Sequence, residues 1–327
     1  MRQWVEANII PFAHEWEEAT TIPHSAYEAA AKAGILMPMA AGSKIPEEWR
    51  GKFPIIGDVR PEEWDGFHDF VIHDEFTRVG GIGVANGLIG GVWITSGMYA
   101  DYFLTLVKDP LGGQTLLVIP RGEGLETRHM KMSGSSSAGT AFVEFNEVKV
   151  PVQNVVGERG KAFKYIVSNF NHERLFIAMQ SLRSARVCLE DSMGYALSRE
   201  TFGRKLVDHP VIRFKFAHMS RETEALQAWI EISALSTEDA NLHLAGPTAQ
   251  LKAHSGIVLE HVVREAIQIM GGIGLTRGGR GERVERIWRD VKAITVPGGS
   301  EEILLDLAVR RALKVREVLS QENSSKL

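Results

Sequence analysis

From about Lys161 onward, apolar residues recur with helical period in runs too long to be strands, so this half of the chain is expected to be a bundle of helices. The runs cover residues 163–198, 210–235, 248–270 and 301–319, well beyond the about four to eight residues of a buried strand. Gly- and Asn-containing breaks at 241–247 and 271–281 separate them, and helices joined this way pack side by side around a shared core.

Upstream the pattern differs. Residues 1–18 place Trp4, Val5, Ile9 and Phe12 at helical spacing, and 25–33 and 67–79 read as further helices. Residues 42–65 are rich in Pro, Gly and charge and read as an irregular connection. The segments 102–107, 114–119, 139–145 and 147–150 are short, rich in β-branched and aromatic residues and separated by Gly, Pro or Asp. They read as strands of a mostly antiparallel unit. The expected class is α+β, with a helical region over 1–90, a small β-domain over 91–160 and a helical bundle over 161–327.

The 327 residues carry a net charge of −4 with both signs interleaved, and no basic tract is dense enough for a nucleic-acid groove. No apolar run is long enough to span a bilayer, and the N-terminus lacks the basic-then-apolar order of a secretory signal. The single cysteine, Cys188, excludes an intramolecular disulfide and reads as a small buried hydrophobe in a helix. The sequence finishes in Ser325-Lys326-Leu327, a tripeptide that a peroxisomal import receptor reads when the tail is free, so peroxisomal localisation is expected.

Several residues could carry chemistry, each beside an ordinary structural role. In SNFNHERLFIAMQ (168–180), Glu173 either interacts with a helix N-terminus or serves as a proton acceptor. Arg174 beside it either pairs with an anion or lies on the surface. Gly271-Gly272-Ile273-Gly274 follows a helix, which fits a C-cap as well as a close backbone approach to a pyrophosphate. Arg277 and Arg280 are close by in sequence and could be solvated. Trp93-Ile94-Thr95-Ser96 is either a strand start or an aromatic plane with a hydroxyl beside a heterocycle. His209, His218, His254 and His261 do not form a metal motif, and there is neither a nucleophile elbow nor a Walker-type loop.

Taken together, WITSGMYADYF (93–103), FVEFNEVKVPVQNVVGERG (142–160), SRETFGRKL (198–206), QIMGGIGLTR (268–277) and IWRDVKAITVPGGSEEIL (287–304) resemble the acyl-CoA dehydrogenase family. The order of helical region, β-domain and four-helix bundle is similar too. The resemblance implies FAD, an acyl-CoA thioester and α,β-dehydrogenation, with the base taking an α-proton while the β-hydrogen leaves as hydride to flavin N5. It places Trp93 and Thr95 at the isoalloxazine. It places Arg199 and Phe202 near the FAD of a neighbouring subunit, and Gln268, Gly271 and Gly272 around the ADP portion. A homodimer or homotetramer follows, with Arg174 as a substrate-binding candidate and an electron-transfer protein or O2 as electron acceptor. Many members carry the base in a Y-E-G-T-like segment, which here reads PGGS with Gly298 in the acid's position. His172-Glu173-Arg174-Leu175 is similar to the E-R-L segment that supplies the base in isovaleryl- and long-chain-type members, which implies Glu173 as the catalytic base. Glu301 and Glu302 are the fallback acids.

One departure is large. Where residues 83–86 run almost directly into 91–95, the family has a further helix and then the first strands of the β-domain, including a T-E-P…G-S-D-like segment. About 70 residues of that pattern are absent here, a loss expected to leave strand edges and apolar faces uncovered. The leading expectation is an FAD-dependent dehydrogenase of fatty-acid or secondary-metabolite (toxin) pathways. The rivals are a peroxisomal acyl-CoA oxidase and a flavin-free pseudoenzyme or scaffold.

Overall fold

The computed structural model describes residues 1–42, 45–89, 94–235 and 244–324. Trp93 and the Ser325-Lys326-Leu327 tail lie outside the described residues.

The N-terminal region comprises α1 (Arg2–Asn8), α2 (Ala13–Glu18), α3 (His24–Lys32), α4 (Leu36–Ala41), α5 (Gly66–Thr77) and α6 (Gly83–Ile89). The periodic stretch 1–18 is two helices rather than one. Ile9 and Ile10 both donate to the Val5 carbonyl, and Pro11 has no N–H with which to continue the ladder. Asp65 starts α5 by accepting from the Phe67 and His68 amides, which satisfies donors that would otherwise be orphaned. Val5, Ile9, Ile35, Trp64, Ile72, Phe76 and Leu88 form the core of this region.

The β region is small and divided. β1 (Tyr102–Lys108) pairs antiparallel with β2 (Gln114–Pro120), and β2 pairs with β5 (Val155–Val156). β3 (Leu125–His129) and β4 (Ala141–Phe145) form a separate antiparallel pair. Two details correct the sequence reading. Residues 147–150 are not a strand, because Glu147 adopts a left-handed φ of 52° that turns the backbone out of extension. β3 was not expected, since LETRH has one apolar residue and no alternation from which to read a buried face. Tyr102, Leu104 and Phe142 stand exposed, as expected of a β-domain that has lost its covering strands.

The bundle consists of α7 (Phe163–Ser198), α8 (Pro210–Leu235), α9 (Ala245–Met270), α10 (Glu282–Thr295) and α11 (Glu301–Ser324). A short hairpin, β6 (Glu200–Thr201) with β7 (Arg204–Lys205), links α7 to α8. α9 is the central element, buried along most of its length and packed on α7, α8, α10 and α11. α10 adds to the four expected helices. Its buried residues Val284, Ile287, Val291 and Ile294 recur every three or four positions among charges that pair along the helix, such as Arg289 with Glu285. Cys188 is fully buried in the bundle core.

Two buried carboxylates tie the three regions together. Asp290 of α10 accepts from the Ser135 amide at 2.6 Å and the Ile82 amide at 2.9 Å. Glu17 of α2 accepts from the Ser136 amide at 2.8 Å, the Ser137 amide at 3.1 Å and the Ser137 hydroxyl at 2.6 Å. One loop of the β region is thereby clamped between the N-terminal helices and the bundle.

Candidate functional site

A cavity of about 340 Å³ lies where α7 faces the N-terminal helices and the end of α10. One face of α7 lines it through Asn169, His172, Glu173, Phe176, Ile177 and Gln180, whose spacing of three or four keeps them on one side of the helix. The opposing wall is Met39 of α4, His73 of α5, Asn86 and Ile89 of α6, Ala293 and Ile294 of α10, and Pro297 just beyond.

Glu173 is a lining residue well inside α7, which begins at Phe163, so the reading of this acid as an N-terminal helix partner is wrong. The helix starts about two turns earlier than SNFNHER taken alone suggests, because residues 163–168 already belong to it. Burial raises the pKa of Glu173 above the ordinary carboxylate value, while the positive charges of Arg174 and Lys252 oppose that rise.

Lys252 of α9 was not singled out from the sequence. It is 1% exposed, and its ammonium donates to the carbonyl oxygens of Thr295 and, at 2.8 Å, Gly299. Burial, and then Arg174, push its pKa down to about 8. Arg174 donates through Nε to the Gly298 carbonyl at 3.0 Å and lies over the Phe170 ring. The two cations therefore hold the PGGS loop by its backbone carbonyls. Gly298 has a φ of 73°, and a Cβ built on it would stand 2.8 Å from Ile177 Cδ1 and 3.6 Å from Arg174 Cγ. A side chain at 298 would thus point toward the same stretch of α7 that carries Glu173. The two places where an acid could stand converge on one cavity, and only the α7 place is filled by one. Glu301 and Glu302 are exposed at the start of α11 and do not line the cavity.

The residues implied for the cofactor fall into two groups. Thr95 is half-buried in a turn held against α6: the Ser96 hydroxyl donates to the Gly87 carbonyl at 3.0 Å, and the Ala141 amide donates to Ile94 O at 3.1 Å. The segment is a turn with its backbone joined to the start of β4, not a strand of its own. The second group gathers at one end of the bundle. Arg199 caps α7 and is exposed, and Phe202, at the tip of the β6–β7 hairpin, is 97% exposed with a left-handed φ of 52°. Gln268 is exposed in the last turn of α9, which Gly271 ends with a φ of 60°, so the C-cap reading holds. Arg280 joins the two pieces by donating to the Ser198 hydroxyl at 2.7 Å. No atom comes within 4 Å of a Cβ built on Gly271 or Gly272, which leaves their backbone open to approach by a phosphate. An exposed aromatic, an arginine and an open glycine backbone thus share one end of the bundle, a surface a phosphate-bearing ligand could approach.

The histidines considered for metal meet ordinary partners. His261 faces Glu222, His254 lies on Trp229, His218 on Phe214, and His209 contacts Thr201 and Arg204. Among the described residues no group of three or more His, Cys, Asp or Glu is placed to hold a metal ion, and no helix is long and apolar enough to cross a membrane.

A family model described as "Acyl-CoA dehydrogenase, C-terminal domain" matches residues 160–313. Among curated proteins, the acyl-CoA dehydrogenase apdG of Emericella nidulans is 32% identical, with 96% of this chain and 89% of that protein covered. That alignment runs over 392 positions against the 327 residues present here, so at least 65 positions of the relative have no counterpart in this chain. Among solved structures, butyryl-CoA dehydrogenase from Megasphaera elsdenii shares the fold at a TM-score of 0.82 and 20% identity, covering 95% of each chain. An acyl-CoA dehydrogenase complexed with FAD from Bacillus anthracis matches at a TM-score of 0.82 and 19% identity, over 99% of this chain and 68% of that one.

Proposed function

The chain belongs to the acyl-CoA dehydrogenase family and is an enzyme of that class, and we propose that it desaturates an acyl-CoA thioester between Cα and Cβ with Glu173 as the base. The observation that carries this reading is the convergence of Glu173 and the Gly298 direction on one cavity, with the acid present on α7.

A thioester α-proton is acidic enough to remove only where the developing enolate is stabilised, and the acceptor must lie within hydrogen-bond reach of it. Glu173 faces a cavity that it shares with the apolar side chains of Phe176, Ile177 and Ile294. Its raised pKa makes the carboxylate a stronger base than an exposed one, and Lys252 and Arg174 keep the ionised form accessible. When the α C–H bond breaks, the proton passes to Glu173 and the bonding pair forms the π bond to Cβ. FAD, when bound, supplies at N5 the acceptor for the hydride leaving Cβ. Thr95, with Trp93 near it in the sequence, would serve the flavin ring. Arg199, Phe202, Gln268, Gly271 and Gly272 would serve the nucleotide half from a neighbouring subunit, which makes the working unit at least a homodimer. An electron-transfer protein is the acceptor this reading carries, and peroxide formation under air would reassign the enzyme as an oxidase.

The test is an absorption spectrum of FAD-reconstituted protein, followed by anaerobic addition of mixed acyl-CoA thioesters. A retained flavin band that bleaches in the native protein, and is retained without bleaching in Glu173→Gln, is the expected result. Equal bleaching in the variant overturns the assignment of the base. Folded protein that retains no flavin overturns the cofactor reading for this chain.

A further inference from the structure

The cavity wall away from Glu173 is unexpectedly polar for a site that takes a plain hydrocarbon chain. His73 is 2% exposed, lines the cavity, and its Nε2 is buried without a hydrogen-bond partner. The ring lies 4.1 Å from that of Phe176, one turn of α7 beyond Glu173. On its other side, the Gln180 side-chain amide donates to Asn86 Oδ1 at 3.1 Å and approaches His73 Nδ1 at 3.5 Å. Asn86 and Gln180 are lining residues as well. Three helices therefore bring a histidine, an asparagine and a glutamine together in a cavity that also has Met39, Ile89 and Ile294 in its wall.

The orientation of this cluster fixes its chemistry. In the tautomer in which His73 Nδ1 accepts from the Gln180 amide, the proton of the neutral ring sits on Nε2. The ring is neutral: burial, and then the nearby His172, push its pKa down to about 3. His73 Nε2–H is then a buried donor without an acceptor, and such a group destabilises the site while it stays unmet. An alkyl chain cannot meet it, whereas an oxygen on the chain can.

We propose that the acyl group taken by this cavity carries a hydrogen-bond-accepting oxygen, a ketone or hydroxyl, which receives the His73 Nε2–H roughly 5 Å along α7 from Glu173. The proposal rests on the dehydrogenase reading above and narrows its substrate class to oxygenated acyl-CoA thioesters. A cavity of about 340 Å³ is at the small end of the roughly 300–1,000 Å³ usual for ligand sites, so one such contact has a large share in selecting the ligand.

The experiment compares octanoyl-CoA with the positional set of mono-oxo-octanoyl-CoA thioesters on FAD-reconstituted native protein, by calorimetry for binding and by anaerobic flavin bleaching for turnover. At least one oxo isomer is expected to bind about tenfold more tightly than octanoyl-CoA, with isomers bearing the ketone elsewhere falling back toward it. In His73→Phe that advantage falls to about twofold or less. In His73→Gln, which restores a donor, part of it returns, so that loss by misfolding and loss by the missing donor are told apart. Octanoyl-CoA binding as tightly as every oxo isomer to the native protein overturns the proposal, as does an oxo preference that persists in His73→Phe. The parent reading fails separately, by thioesters that bind with the predicted preference yet never bleach the flavin.

Discussion

In the bundle, buried side chains run continuously from Leu175 and Leu182 on α7 through Leu251 and Val263 on α9 to Ile287 and Ile294 on α10. In the β region the clustered core is small, built on Phe103, Ile119 and Leu125 and shared between two separate strand pairings. The two regions face each other across the Ser135–Ser137 loop, held by Asp290 and Glu17, but they hold their functional groups with unequal firmness. A base must keep its geometry and its desolvated setting through every turnover, and Glu173 sits on a long helix packed on both sides. Thr95 lies in a turn whose backbone is joined to the start of the short β3–β4 pair. The bundle carries a continuous core behind Glu173, whereas the β region behind Thr95 has only a small one.

The largest effect should come from the firmer region. Glu173→Gln is expected to slow anaerobic flavin reduction by about 10²–10⁴-fold, the usual share of a positioned general base. Rapid-mixing absorbance with one thioester measures it, and a loss of less than tenfold would mean that the bundle is not where the proton goes.

Core substitutions should show the same contrast in stability. Leu182 is fully buried, and Leu182→Ala is expected to lower the free energy of unfolding by about 2–5 kcal/mol in urea titrations followed by far-ultraviolet circular dichroism. Hydrogen exchange should find the β1–β4 amides exchanging well before those of α7 and α9, because few buried apolar contacts protect them. Strand amides as slow as those of α9 would show that the reduced β region is as cooperative as the bundle.

The clamp between the regions comes next. Asp290→Ala leaves the Ser135 and Ile82 amides without their acceptor, a loss of about 3 kcal/mol for a buried, hydrogen-bonded carboxylate. Faster exchange confined to the 134–138 loop and the start of α6 would accompany it. Unchanged exchange there would mean that the β region is held elsewhere.

The contrast also explains what could be read from residues alone. α7 and α8 were readable to their ends because their period persists over many turns, and Pro210 marks where α8 begins. α10 was not, since Val284, Ile287, Val291 and Ile294 are diluted by paired charges directly after a glycine-rich break. Glu173 was visible as a candidate only through the company of HERL and the missing acid at Gly298. Its position well inside α7 follows from the run that begins at Phe163, and only SNFNHER taken alone suggests a first-turn acid. His73, Asn86, Gln180 and Lys252 were invisible as a set, because four helices contribute one residue each and no spacing along the chain records their meeting.

The smallest effect sharpens the comparison from the other direction. Burial raises the pKa of Glu173, so the folded chain binds a proton there more readily than the unfolded chain does. Between the unfolded value and the raised folded value the native state carries more protons, and stability falls as pH rises through that window. The stabilising contribution of protonated Glu173 is therefore fully present below the unfolded pKa and gone above the folded one. Glu173→Gln carries no ionisable group, so at neutral pH it should be slightly more stable than the native protein, and the difference should vanish in acid. The rate of flavin reduction should run the opposite way, rising with pH as the carboxylate ionises, with a midpoint above that of an ordinary glutamate. Thermal midpoints and reduction rates across the same buffers test both halves. A variant less stable than the native protein at neutral pH would mean that the ionised carboxylate is held by partners that outweigh its burial, and the firm region would then stabilise its charge rather than strain it.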